Sequence, residues 1–131
     1  MHSQGSAVEK LDSYRDLIVW QRARDLSLIC YRVTSAFPAD EKFGLTGQLR
    51  RAAVSVCANI AEGYGRFSRP DYLRHLRIAH GSLMEVSVCI ELAGSLKMLP
   101  PSDHKALDSL HDETSRMLRA LIRKLESRST P

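Results

Sequence analysis

The chain has 131 residues, 44% hydrophobic, 6% aromatic and 26% charged, which suits one globular domain and excludes both a second domain and disorder throughout. No window approaches the roughly eighteen uncharged apolar residues of a membrane span, and Met1 to Asp12 lack the apolar block of a secretory signal, so a cytoplasmic protein without membrane attachment is expected. The formal charge is +4, and 14 of the 19 basic residues are arginines, whose planar fork of donors suits phosphate and carboxylate.

Residues 1–12 (MHSQGSAVEKLD) have no apolar period and read as a disordered N-terminal tail, leaving 13–126 for the folded domain. With only 7 glycines, 5 prolines and few β-branched runs, the remainder points to helices. A first helix begins between Ser13 and Leu17 and ends before Phe37-Pro38, with Trp20, Ala23, Leu26, Cys30, Val33 and Phe37 at steps of three or four. A second starts between Phe43 and Thr46, repeats Leu45, Leu49, Ala52, Val56 and Ile60, and stops at Gly63, a natural left-handed cap. After the loop GYGRF, Ser68 caps a third helix, Pro70 lies in its first turn and Asp71 closes a capping box. Leu76, Ala79, Leu83, Val86, Ile90 and Ala93 carry that helix towards Leu99-Pro100-Pro101. Ser102 caps a fourth, in which Leu107, Leu110, Thr114, Leu118, Leu121 and Leu125 face inward, and 127–131 form a polar C-terminal tail.

Amphipathic helices joined by short loops make antiparallel neighbours, so the expected fold is all-α, an up-down-up-down four-helix bundle with the apolar stripes inside. Cys30, Cys57 and Cys89 stand singly in apolar stretches and read as reduced core thiols. Apolar residues off the main stripes, Leu17, Leu28 and Ile29 on the first helix and Ile78, Val88 and Leu92 on the third, predict a ring-like homo-oligomer that covers them.

The second helix carries another stripe. Gln48, Arg51, Ser55, Asn59 and Glu62 recur at steps of three or four beside small alanines, a pattern suited to hydrogen bonds across a close helix contact. Arg77, Ser82 and Glu85 are the expected partners on the third helix, with Arg51 pairing to Glu62 or Glu85; a network inside the fold or between subunits competes here with a ligand site.

Catalytic patterns are thin. No His-x-x-x-His or Glu-x-x-His pair exists, and His104, Asp108 and His111, which share a face near a helix end, read as solvated polar residues, so neither metal nor cofactor is expected. Ser55 and Ser82 have no histidine at a predictable spacing, and Gly63-Tyr64-Gly65-Arg66 follows a helix and lacks the Gly-Lys-Ser/Thr ending of a phosphate loop. The chain is expected not to be an enzyme.

The stretch from Gln48 to Ser55 (QLRRAAVS), continued by Ala58-Asn59-Ile60-Ala61-Glu62-Gly63 and followed by Arg77-Ile78-Ala79, Gly81-Ser82-Leu83 and Glu85, resembles the four-helix-bundle proteins encoded in intervening sequences of large-subunit ribosomal RNA genes. Leu17-Ile18-Val19-Trp20-Gln21 and Phe37-Pro38 extend the likeness to about Tyr14 through Leu99. Two positions depart from it: Cys57 stands where the family usually has proline, and Ser87 where an acidic residue is frequent. The resemblance implies a cytoplasmic, non-enzymatic homopentamer, and a related retroelement accessory protein binds nucleic acid and a reverse transcriptase.

The segregated charge points the same way. Arg50 to Arg77 and Arg116 to Arg128 each hold a surplus of four positive charges, so the rest of this +4 chain is net negative by four. Around the loop between helices two and three, Arg66, Arg69 and Arg74 join free backbone N–H groups and two glycines, and with Arg50 and Arg77 they are the candidate contacts to RNA or DNA phosphate, or to a nucleic-acid-processing protein. The competing expectation is a purely structural protein-protein assembly module whose arginines serve its own contacts.

Overall fold

The structure, a computed structural model, describes residues 13–128; the tail over 1–12 and the final residues 129–131 lie outside the described residues. Four helices, α1 (Ile18–Thr34), α2 (Leu45–Tyr64), α3 (Arg69–Ser95) and α4 (Pro101–Arg128), are accompanied by short 3₁₀ turns at Tyr14–Asp16 and Ala39–Glu41, and no strand occurs among the described residues.

The helix ends follow local chemistry, in places differently from expectation. Ser13 caps the first 3₁₀ turn rather than α1 itself: its hydroxyl accepts from the Arg15 N–H while its own N–H donates to the Asp16 carboxylate. α1 ends at Thr34, before Phe37-Pro38, where the proline disfavours helical backbone at Phe37 and the chain turns through Ala36 N–H to the Val33 carbonyl and Phe37 N–H to that of Thr34, burying Phe37. Gly63 is not a left-handed cap. No glycine of the described residues has positive φ, and α2 runs on through it to Tyr64. Its role is close approach: a Cβ there would stand 2.9 Å from both His75 Cβ and Tyr72 Cδ1, so only glycine lets α3 lie so near.

Ser68 caps α3 as expected by accepting from the Asp71 N–H (3.2 Å), whereas the Asp71 carboxylate lies 3.7 Å from Arg74. α3 stops at Ser95, short of Leu99, in a two-bond turn: Met98 N–H donates to the Ala93 carbonyl and Lys97 N–H to that of Gly94. Lys97 sits there at φ 61°, a conformation usually left to glycine. α4 begins at Pro101, and Ser102 lies inside it rather than capping it, because the Pro100 carbonyl already accepts from the His104 N–H (3.0 Å). At its far end α4 takes in Ser127 and Arg128, which the sequence assigned to a tail.

The core holds the predicted stripes, with Leu26, Leu49, Ile60, Leu76, Leu83, Ile90, Leu107 and Leu118 all fully buried. Each such side chain contributes about 1.5–3 kcal/mol. α1 packs on α2 and α4, and α3 on α2 and α4, with no close backbone approach across the diagonals among the described residues. Paired residues run in opposite order: Ser27 with Ala53 and Thr34 with Arg50; Ser55 with Ser82 and Asn59 with His75; Leu83 with His111 and Arg77 with Glu126; Arg22 with Glu113 and Arg32 with Asp103. Leu17 and Ile29 turn out to pack against the core, whereas Leu28, Ile78, Val88 and Leu92 are exposed as predicted. No helix among the described residues is long and apolar enough to cross a membrane.

Candidate functional site

The polar ribbon of α2 becomes a chain of hydrogen bonds between α2 and α3. Asn59 Nδ2 donates to the Ser55 carbonyl (3.0 Å) and hydroxyl (3.2 Å), which leaves its Oδ1 to accept from His75 Nδ1–H (3.0 Å). His75 is thereby assigned the Nδ1–H tautomer, and its Nε2 accepts from the Arg74 guanidinium at 3.3 Å. The Ser55 hydroxyl also shares a hydrogen bond with Ser82 Oγ, 2.7 Å away, in which either can donate. Donation thus runs one way from Arg74 through His75 and Asn59 to Ser55, and the bond to Ser82 completes the link to α3. Glu62 borders the chain, its carboxylate 4.0 Å from His75 Nδ1. No buried side-chain nitrogen or oxygen of the described residues lacks a partner.

Two ribbon members and one expected partner on α3 stay outside. Gln48, Arg51 and Glu85 are exposed, and Arg51 pairs with neither Glu62 nor Glu85 among the described residues, so the expected buried ion pair does not form. The central member, His75, escaped the sequence reading. The available signal was its position one turn before Ala79 and two before Ser82, on the row of α3 that faces α2.

Most of the candidate arginines have work inside the molecule. Arg50 ties α2 to the end of α1: its Nε donates to Thr34 Oγ1 (2.7 Å), an Nη to the Tyr31 carbonyl (3.3 Å), and its guanidinium stacks 4.5 Å over the Tyr31 ring. It stands away from the loop arginines. Arg69 donates to the Arg128 carbonyl (2.7 Å), joining the start of α3 to the end of α4, and Arg77 reaches Glu126 at 2.7 Å. Arg74 lies between Asp71 and His75, while Arg66 is exposed on the loop.

Those links bring together what the sequence holds apart. The first third of α3 lies against the last third of α4, so Arg69, Arg74 and Arg77 share a region with Arg119, Arg123, Lys124 and Arg128, against Asp71 and Glu126. Only the α3 part of the first surplus reaches this region, since Arg50 and Arg51 lie on α2. Between the helices a hollow of about 240 Å³ opens, lined by Arg77, His80, Arg119 and Ile122. His80 and Arg119 were not among the predicted contacts, since pairing them needs the register of α3 on α4.

The remaining histidines and cysteines of the described residues lie apart from one another or are buried. His111 is buried and donates Nε2–H to the Leu83 carbonyl (2.8 Å), which separates it from His104, whose Nε2 lies 3.4 Å from Asp108. Among the described residues no three of His, Cys, Asp and Glu are grouped to hold a metal ion. The cysteines are free thiols; burial pushes Cys30 up to about 12 and raises Cys57 and Cys89 above the ordinary thiol range, which removes the thiolate a nucleophile needs.

Four packed helices, a directed hydrogen-bond chain between two of them and a cationic surface on α3 and α4 make this an all-α four-helix protein. The sequence model of the family described as 23S rRNA-intervening sequence protein matches residues 15–120, and the chain belongs to that family. A solved structure of a protein of unknown function from the S23 ribosomal protein family of Bacteroides thetaiotaomicron is similar, with a TM-score of 0.74 and 21% identity over 83% of this chain and 98% of that one. At that identity the likeness speaks for the fold. No curated protein matches.

Proposed function

We propose that this chain is a non-enzymatic, self-associating accessory protein, an antiparallel up-down-up-down bundle whose α3 and α4 arginines contact nucleic-acid phosphate, RNA above all. One observation carries the reading: Arg69 to Arg77, the α3 part of the first basic segment, lie beside the basic end of α4, from which some forty residues of sequence separate them. Such a patch supplies the salt-sensitive, sequence-independent part of nucleic-acid affinity. The opposite-running residue pairs along all four helix contacts support the antiparallel topology.

Self-association is supported by the outer face of α3. Ile78, Met84, Val88, Leu92 and Leu96 are exposed along it, and Gly81 sits among them with open space where a Cβ would point. A mid-helix glycine costs about 1 kcal/mol relative to alanine, and no neighbour among the described residues calls for it, which supports the close approach of a second copy. The number five comes from the family resemblance. Sedimentation equilibrium at micromolar concentration is expected to give a mass well above the 14.7 kDa of one chain, and a monomer alone would rule this part out.

The second reading, a structural assembly module without a nucleic-acid role, draws on Arg50, Arg69 and Arg77, all of which have partners within the chain. Filter-binding titrations against unrelated RNA and DNA at two salt concentrations separate the two. A phosphate-contacting surface binds both, more weakly at the higher salt; absence of binding at low salt leaves the assembly module.

A further inference from the structure

We propose that the loop between α2 and α3 takes an unpaired RNA base, stacked on the Phe67 ring with Arg66 and Arg69 on the phosphates beside it. The inference rests on the phosphate-contacting reading of this surface and deepens it: it adds a contact to a base and restricts the partner to a single strand.

The Phe67 ring stands wholly in solvent and is the most exposed large hydrophobic of the described residues. Other exposed aromatic rings have company. Arg50 stacks over Tyr31, and the Lys42 ammonium lies 5.5 Å from the centre of the Phe43 ring. Tyr64, at the entry to the same loop, sits edge-on to Tyr72 with ring centres 6.3 Å apart. Phe67 has neither a ring nor a cation against it among the described residues. Its place is nevertheless held from both sides: Gly65 N–H donates to the Ala61 carbonyl (3.2 Å) and Arg66 N–H to that of Gly63 (3.1 Å), while Ser68 caps α3 by accepting from Asp71 N–H. A bare ring on a held loop is preorganised for a flat apolar partner.

Charge says which partner. From Arg66 to Arg74 there are three arginines against the single carboxylate of Asp71, a surplus of two. The Arg66 side chain is exposed and meets no partner among the described residues. Arg69 gives one N–H to the Arg128 carbonyl (2.7 Å), which sets the basic end of α4 beside the loop and leaves that guanidinium further donors. An aromatic ring between two arginines matches a strand that alternates flat bases with phosphates, whereas an apolar protein pocket would cover the ring and leave the arginines unpaired. In a duplex the base faces are already stacked on one another, so the ring selects an unpaired strand. Phe43, at the other end of α2 and next to Asp40 and Glu41, lacks that setting and serves as the control.

Fluorescence anisotropy with a single-stranded RNA, and with the same RNA annealed to its complement, tests it on the wild-type chain and on Phe67→Ala, Phe67→Leu, Phe67→Trp and Phe43→Ala. Circular dichroism melting and sedimentation equilibrium follow the fold and assembly of each. Phe67→Ala is expected to weaken single-strand binding at least about fivefold, the lower end of what one stacked base contributes. The salt slope should stay the same, because no phosphate contact is removed, and duplex binding should not change. Phe67→Leu should lose nearly as much and Phe43→Ala nothing. Phe67→Trp should keep its affinity and show RNA-dependent quenching beyond that of Trp20, the one tryptophan of the wild-type chain. Unchanged single-strand affinity in Phe67→Ala, full affinity in Phe67→Leu, or an equal loss on the duplex overturns the stacking while leaving the phosphate surface in place. Loss of assembly in Phe67→Ala makes the ring a contact between copies and overturns it too. A wild-type chain that binds neither RNA overturns both readings.

Discussion

Replacing Asn59 with leucine cuts the hydrogen-bond chain at its middle. The side chain makes three bonds, two donated to Ser55 and one accepted from His75. The Ser55 hydroxyl keeps Ser82 and its carbonyl lies within a continuous helix, so the main loss falls on His75, a residue 6% exposed whose Nδ1–H is left with only the Glu62 carboxylate, 4.0 Å away. An orphaned buried donor costs about 1–3 kcal/mol. Asn59 itself is only half-buried, so water replaces part of the bond and about 1.5–2 kcal/mol is expected. For a chain of this size that corresponds to a fall in Tm of about 5–8 °C by calorimetry. The double variant Asn59→Leu/His75→Leu removes both partners and is expected to recover much of the loss, because apolar replacement of both ends of a buried bond is nearly neutral. A Tm for Asn59→Leu within about 1 °C of the parent, or a double variant that is the sum of the two singles, would refute the chain as a buried, coupled unit.

Other expectations follow from single sites. Gly63→Ala forces a methyl to within 2.9 Å of His75 Cβ and Tyr72 Cδ1, so denaturant unfolding should show a loss of about 1–3 kcal/mol. Lys97→Gly relieves a left-handed conformation at φ 61° and should raise stability by about 0.5–1 kcal/mol in the same assay. Cys57→Pro should cost less than the ~3 kcal/mol of an ordinary mid-helix proline, because the carbonyl it would orphan, that of Ala53, already accepts from the Ser27 hydroxyl at 3.0 Å. Cys30 ionises near 9 when unfolded and only at about 12 when folded. The folded state therefore holds the thiol proton that the unfolded chain releases, and Tm should fall as pH rises through that interval; native thiols should resist iodoacetamide at pH 8 until denaturant is added.

Much of the molecule is legible in its residue spacing, because the inward stripes need only periodicity. Leu76, Ala79, Leu83, Val86, Ile90 and Ala93 are all buried as their steps require. Features that depend on a neighbouring helix are harder to read. Gly63 looks like a stop signal in one dimension and is a contact with α3 in three. The ribbon on α2 is partly right, since Ser55 and Asn59 meet α3, but its first members Gln48 and Arg51 drift outward because steps of three and four do not stay on one line. His75, standing in an apolar row, shows by its spacing only that it faces α2; its role depends on the Asn59 carboxamide opposite. The arginines divide similarly: Arg50 is drawn to the end of α1 by Thr34 and Tyr31, whereas the company that Arg77 keeps on α4 depends on helix register.

The most direct test is the dependence of RNA affinity on salt for the wild-type chain and for a combined Arg66→Ala, Arg69→Ala and Arg74→Ala variant with unchanged assembly. The wild-type plot of log affinity against log salt should fall steeply, and the variant should bind more weakly with a shallower slope, each lost phosphate contact removing about 0.7 for a single strand. A salt-independent wild-type affinity, or a variant with the same affinity and slope, would contradict the assignment of this surface to nucleic-acid phosphate.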